Sequence, residues 1–196
     1  FPTRRSSDLP SSNLGGPTTR FFKMIVYRNQ SVLDFKEHAI IVHGVNCQGK
    51  MNSGVAKAIR EAFPVVYEEY MKLYNNKQHG GTVDGQTWSR FLDSNRNDPL
   101  LGMAQVVRVG ETLHVGNLFT QQFYGRDGKK YADQNSIFNS LMNLCHAINV
   151  SGNLPRDIAL PKIGCGLGGL DWDSEVLPVL EEVNRQYPAL YTVCSI

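Results

Sequence analysis

The chain has 196 residues, 41% of them hydrophobic and 19% charged, with a formal net charge of +2. That length and apolar share fit one domain with a sizeable core and exclude a disordered chain, and no window reaches the ~18 uninterrupted apolar residues of a membrane span. Residues 1–23 carry Arg4, Arg5, Arg20 and Lys23 against Asp8 alone, which leaves 16 basic and 17 acidic side chains beyond them and no basic footprint of a nucleic-acid binder.

Phe1 to Leu9 (FPTRRSSDL) read as the in-frame translation of a sequencing adaptor, and no Met precedes Met24. Residues 1–23 are therefore expected to be a non-native or disordered tail, and 24–196 a single domain. From Met24 the chain alternates strands and helices. Met24–Tyr27 is a short apolar run, and Ala39–Val45 (AIIVHGV) is β-branched enough for a buried central strand. Ser53–Phe63 places Val55, Ala58, Ile59 and Ala62 at helical spacing, and Pro64 suits the first turn of a second helix, Val65–Tyr74. Residues 75–102 are rich in Gly, Asn, Asp and Ser and read as an insertion or a lid, with Trp88, Phe91 and Leu92 pinning it as a short helix. Ala104–Val109 and Thr112–Phe119 flank a Gly110-Glu111 turn and predict a hairpin. Asp133–Asn149 is a long amphipathic helix, Asp157–Leu160 a strand, Asp173–Gln186 a helix and Leu190–Cys194 a last strand. This interleaving predicts an α/β fold, a three-layer α/β/α sandwich with a mixed central sheet.

Four Cys without a C-x-x-C pair read as reduced thiols in a cytoplasmic protein rather than as a disulfide framework or a zinc site. No metal and no cofactor is expected. Two strand–glycine-loop–helix turns carry the chemistry. The first runs from His43 through Asn46 and Gly49 to Gly54; the second runs from Pro161 through Gly164, Gly166, Gly168 and Gly169 to Trp172. Such turns expose free helix N-terminal N–H groups and let a phosphate approach backbone that lacks Cβ atoms. Glycines after strands also make ordinary tight turns, so each loop alone says little. As a pair, without a Walker lysine or the dinucleotide fingerprint, they suit a diphosphate held between two loops without a metal.

The pair of loops resembles the macrodomain family, which binds ADP-ribose. Asn46 and the helix Gly54 to Ile59 match the family's asparagine and G-V/I-A-x-A-I helix. Pro161 to Trp172 matches its P-x-I-G-x-G-x-x-G segment, and Leu118 to Gly125 (LFTQQFYG), with His43 ahead of the asparagine, looks like the ADP-ribose 1″-phosphate phosphatase branch. The resemblance implies that Gly49, Ser53, Gly54 and Val55 line one side of the diphosphate and distal ribose. Gly164, Cys165, Gly166, Leu167, Gly168 and Gly169 would line the other. Asn46 would orient the distal ribose, Phe123 or Tyr124 would stack near it, and Gln30 would stand where many macrodomains read the adenine amine with an Asp. Leu118 and Gly168 fall at positions where a lysine and an aspartate serve the branch that removes ADP-ribose from protein glutamates, so that chemistry is not expected.

His43 is the candidate nucleophile or general acid/base, against the alternative of a satisfied core histidine. Asn46 is grouped with it as catalytic. Asp171 favours the N-terminus of the last helix by its charge, Lys50 faces a phosphate or solvent, and Cys47 and Cys165 are read as small buried residues. The expected function is hydrolysis of ADP-ribose 1″-phosphate. The alternatives are a non-catalytic binder or sequestering module for ADP-ribose or a derived signal, and an ADP-ribosyl hydrolase. The partner expected is a small molecule, ADP-ribose or a derivative, with no membrane, no nucleic acid and a monomeric chain.

Overall fold

The computed structural model describes residues 24–76, 88–89 and 98–195. Seven strands form one sheet in the order β1 (Met24–Arg28), β7 (Leu190–Cys194), β6 (Asp157–Leu160), β2 (Ile40–Asn46), β5 (His114–Gln121), β4 (Ala104–Arg108) and β3 (Trp88–Ser89). From β1 to β5 the neighbours are parallel, whereas β4 runs antiparallel to β5 and β3 antiparallel to β4. The sheet is mixed, and the expected 104–119 hairpin is present as β4–β5.

β2 lies at the centre because both of its faces are apolar. Ile40 and Val42 pack into one core with Leu141, Leu144 and Leu180, while Ile41 and Val45 pack into another with Ile59, Val66 and Tyr70. Alternate strand residues point to opposite faces, so a run of consecutive β-branched residues needs a layer on each side. Those layers are α1 (Gly54–Ala62) with α2 (Pro64–Asn76) on one face, and α3 (Gln134–Ser151) with α4 (Leu177–Gln186) on the other. The result is the expected three-layer sandwich. Asp133 caps α3 by accepting from the Ser136 N–H at 2.7 Å, and Gly152 closes that helix in the left-handed conformation, φ +65°.

Two expectations are corrected. Trp88 stands in a two-residue strand against Gln105 rather than in a helix. The remainder of the expected short helix, with Phe91 and Leu92, lies outside the described residues, as does most of the segment 75–102 read as an insertion. The last helix does not run unbroken from Asp173, because Trp172–Val176 forms a π-helical turn and α4 begins at Leu177, followed by Pro178 in its first turn. Among the described residues no helix is long and apolar enough to cross a membrane.

The topology decides where a ligand can enter. β2 and β6 are neighbours, yet the chain leaving β2 turns to α1 on one face and the chain leaving β6 turns to α4 on the other. Such a divergence opens a crevice beyond the carboxyl ends of the strands.

Candidate functional site

A cleft of about 670 Å³ occupies that crevice. Its walls are the loop after β2 with the start of α1, the segment 120–126 after β5, and the loop 161–168 after β6; Ser195 after β7 closes one end.

The first wall is built on Asn46 and Tyr70. The Asn46 amide nitrogen donates to the Lys50 carbonyl at 2.7 Å, and its Oδ1 accepts from the Gln48 N–H at 2.8 Å and the Lys50 N–H at 3.3 Å. Tyr70, fully buried on α2, donates to the Asn46 carbonyl at 2.8 Å and accepts from the Lys50 N–H at 3.0 Å. Burial pushes the Tyr70 phenol well above its ordinary value, so it remains a neutral donor and acceptor. Asn46 therefore lines the cleft with its amide oxygen and one N–H committed to its own loop. Ser53 occupies the N-cap of α1 but makes no capping hydrogen bond. The N–H groups of Gly54, Val55 and Ala56, which have no acceptor within the helix, face the cleft along with the positive end of the helix dipole.

The second wall folds back on itself. Cys165 N–H donates to Lys162 O, Gly169 N–H to Gly166 O and Leu170 N–H to Gly164 O, whereas the N–H groups of Gly164, Gly166, Leu167 and Gly168 are not taken up by the protein among the described residues. The loop is also fastened to the segment before α3. The N–H groups of Tyr131 and Ala132 both donate to Gly168 O, and Lys130 meets both carboxylate oxygens of Glu175 at 2.8 Å. Glu175 also accepts from the Asp171 N–H at 2.8 Å, and Asp171 caps the π-turn through the Ser174 N–H. The segment before α3 is tied in turn to the 120–126 wall by the Gln121–Ala132 bridge and by the Asp133 N–H donating to Thr120 O, so the second wall and the 120–126 wall are joined through it.

His43 belongs to the lining of the cleft, at its floor, with the side chain turned into the sheet. It is 1% exposed, with Nε2 2.8 Å from Asn117 Oδ1, and the Asn117 amide nitrogen donates to Gln105 Oε1 at 2.9 Å. Strand register places His43 opposite Asn117 and Asn117 opposite Gln105, so the three side chains form a polar rung across β2, β5 and β4 under α1 and α2. Burial lowers the His43 pKa to about 4, outweighing the opposing Asn117 contact, and the ring is neutral near pH 7. The buried, hydrogen-bonded ring has the features of a core histidine, and its place on the cleft lining is what a reacting group requires.

Of the remaining residues singled out from the sequence, Ser53, Gly54, Val55, Tyr124, Gly164, Cys165, Gly166, Leu167 and Gly168 line the cleft. Gln30, Gly49, Phe123 and Gly169 do not. Gln30 follows the edge strand β1, and β7 with Ser195 intervenes before the crevice. Gly49, at φ +71°, turns beneath the Tyr74 ring, and Gly169, at φ +78°, backs onto Lys129 and Lys130. Phe123 is 57% exposed and is not among the lining residues. Cys47 is fully buried, and burial pushes the Cys165 thiol up to about 11, so Cys165 does not present a thiolate.

Sequence reading missed Asn52, Thr120, Gln121, Arg126 and Lys162 on the cleft. Arg126 and Lys162 follow the second and third strand ends closely enough that their spacing from the glycine loops offered a signal. With Lys50 they give the lining three cations, and no Asp or Glu stands among its described residues. Nor do the described residues hold any group of three His, Cys, Asp or Glu suited to a metal ion. The site is rich in donors and positive charge, and suits an elongated polyanion.

A Macro domain family model matches residues 42–88. A curated relative, the DNA ADP-ribosyl glycohydrolase of Mycobacterium tuberculosis, is 25% identical over 154 residues, covering 76% of this chain and 36% of the relative. The chain thus spans about a third of the length of the curated relatives it matches. Among solved structures, the macrodomain of Thermus aquaticus DarG has a TM-score of 0.63 at 23% identity, over 87% of this chain and 97% of that one. Thermosipho africanus DarTG in complex with ADP-ribose has a TM-score of 0.61 at 16% identity, over 89% of this chain and 42% of that one. The chain carries a Macro domain match that spans its first glycine loop, and it shares the macrodomain fold.

Proposed function

We propose that the cleft binds ADP-ribose or a derivative of it, and that its reaction is hydrolysis of ADP-ribose 1″-phosphate to ADP-ribose and phosphate. The observation that carries this reading is the lining itself: Lys50, Arg126 and Lys162, the open N-terminus of α1 and the unused N–H groups of the second loop, with no carboxylate among the described lining residues. A diphosphate takes up the two loops, and a further phosphate at the distal ribose draws on the remaining cations. Such donors act where charge develops during phosphoryl transfer. Water attacks phosphorus, the bond from phosphorus to the 1″ oxygen breaks, and that oxygen takes a proton to become the ADP-ribose hydroxyl. Tyr124, 52% exposed on the cleft, supplies a ring for the distal ribose. His43 and Asn46 are read as groups that hold the end of β2 and the first loop, not as groups that react. The partner is a small molecule and no metal enters the scheme.

Phosphate release from ADP-ribose 1″-phosphate, followed in the presence of EDTA, tests the reaction. Turnover supports it; binding without turnover would leave a sequestering module. A second reading, removal of ADP-ribose from DNA, is favoured by the likeness to the DNA ADP-ribosyl glycohydrolase. Release of ADP-ribose from an ADP-ribosylated oligonucleotide under the same conditions would select it.

A further inference from the structure

Asn52 is exposed on the cleft two residues ahead of α1, and Arg60, in the last turn of that helix, donates from Nη1 to its Oδ1 at 2.6 Å. The orientation of this amide is fixed by chemistry. A guanidinium has donors only, so the atom that faces it must be the amide oxygen. The NH₂ group is turned the other way, and nothing among the described residues accepts from it. Arg60 is held in turn, with its guanidinium carbon 5.3 Å from the centroid of the Tyr67 ring on α2. Tyr67, Arg60 and Asn52 thus form a relay that ends in two donors beside Lys50 and the uncapped N-terminus of α1.

We propose that Asn52 is a specificity-determining residue that admits a phosphate oxygen of the ligand's diphosphate and rejects a donor at that point. The inference rests on the ADP-ribose reading and names one of the contacts that makes it selective. An asparagine free to rotate offers either its oxygen or its nitrogen; in this one Arg60 holds the oxygen on its own side, so the nitrogen is the atom turned away from the guanidinium. The relay converts an ambivalent amide into part of an anion site.

Asn52→Asp tests this directly, because aspartate has the same shape, keeps an oxygen against Arg60, and puts negative charge where the donors were. Asn52→Ala removes the donors without adding charge. Calorimetric titration with ADP-ribose should show Kd raised a few-fold in Asn52→Ala and at least tenfold in Asn52→Asp. The melting temperature of Asn52→Asp should be unchanged or higher, since it gains an ion pair with Arg60. Affinity and stability moving apart is a signature that a merely structural side chain does not give. Equal affinities in the two variants, or an Asn52→Asp protein that binds as the unaltered chain does, would overturn the proposal. Absence of binding by the unaltered chain would instead overturn the ADP-ribose reading beneath it.

Discussion

Gly166 and Gly168 stand two residues apart in the second loop, and a methyl group at each would meet different surroundings. At Gly166 a Cβ has nothing within 4 Å, so a side chain enters the open cleft without strain. At Gly168 it would lie 2.5 Å from Gly164 O and 2.8 Å from Ala132 Cβ. Gly166→Glu should therefore fold normally and lose ADP-ribose affinity by more than about a hundredfold, since a carboxylate replaces open space in an anion site. Gly168→Ala should lose about 1–3 kcal/mol of stability, as overpacking does. Denaturant unfolding and calorimetric titration of both variants check the pair, and a destabilised Gly166→Glu protein would contradict this division of roles. Both glycines look alike in sequence. What separates them is the fold-back of the loop onto Gly164 and the Ala132 side chain packed across Gly168, contacts no local pattern displays. His43 poses the same difficulty. Its strand and its place before Asn46 were legible, but its partners Asn117 and Gln105, which join it in a buried polar rung, come from strands 74 and 62 positions away. Its burial gives a second prediction. The unfolded ring takes up a proton near pH 6.5 and the folded ring only near 4. The stability drawn from keeping it neutral is whole above pH 6.5 and falls as pH drops towards 4, by up to ~3 kcal/mol. His43→Gln should flatten that part of the profile in urea unfolding at pH 7, 5.5 and 4.5; an unaltered slope would refute the assignment.

At the scale of elements, the first glycine loop is shaped by α2, which does not itself line the cleft. The Tyr70 hydroxyl joins Asn46 and Lys50, so removing it should loosen the loop while leaving the core packed. Tyr70→Phe is expected to lower stability by about 1–2 kcal/mol, the usual loss when a buried hydrogen-bonding group is left unmatched. It should weaken ADP-ribose binding severalfold and speed amide exchange at Gln48 and Lys50. Unchanged exchange at those two amides would show that the loop holds its shape without α2. Strands and helices themselves were readable to within two or three residues where their pattern was strong, as in β2, α3 and β6, because burial on one or both faces imposes the period directly. Trp88 was not readable, since a two-residue edge strand is defined by its partner rather than by its own sequence. The π-turn at Trp172–Val176 was also hidden. Asp171 and Asp173 mark a helix start, but the wider turn satisfies the packing of Trp172 and Val176 into the core beside α3.

For the whole molecule, divergence of the chain at β2 and β6 creates the cleft in which we propose metal-independent binding of ADP-ribose. Everything else depends on it: the open N-terminus of α1, the fastened second loop, the three cations and the oriented Asn52 all face one cleft on a chain of nearly neutral net charge. Calorimetric titration of the 196-residue chain with ADP-ribose in EDTA tests this most directly. The account predicts a one-to-one complex with a micromolar Kd, about −8 kcal/mol, and the same affinity when Mg²⁺ replaces the chelator. No binding at millimolar ADP-ribose, or binding that appears only with added Mg²⁺, would contradict it.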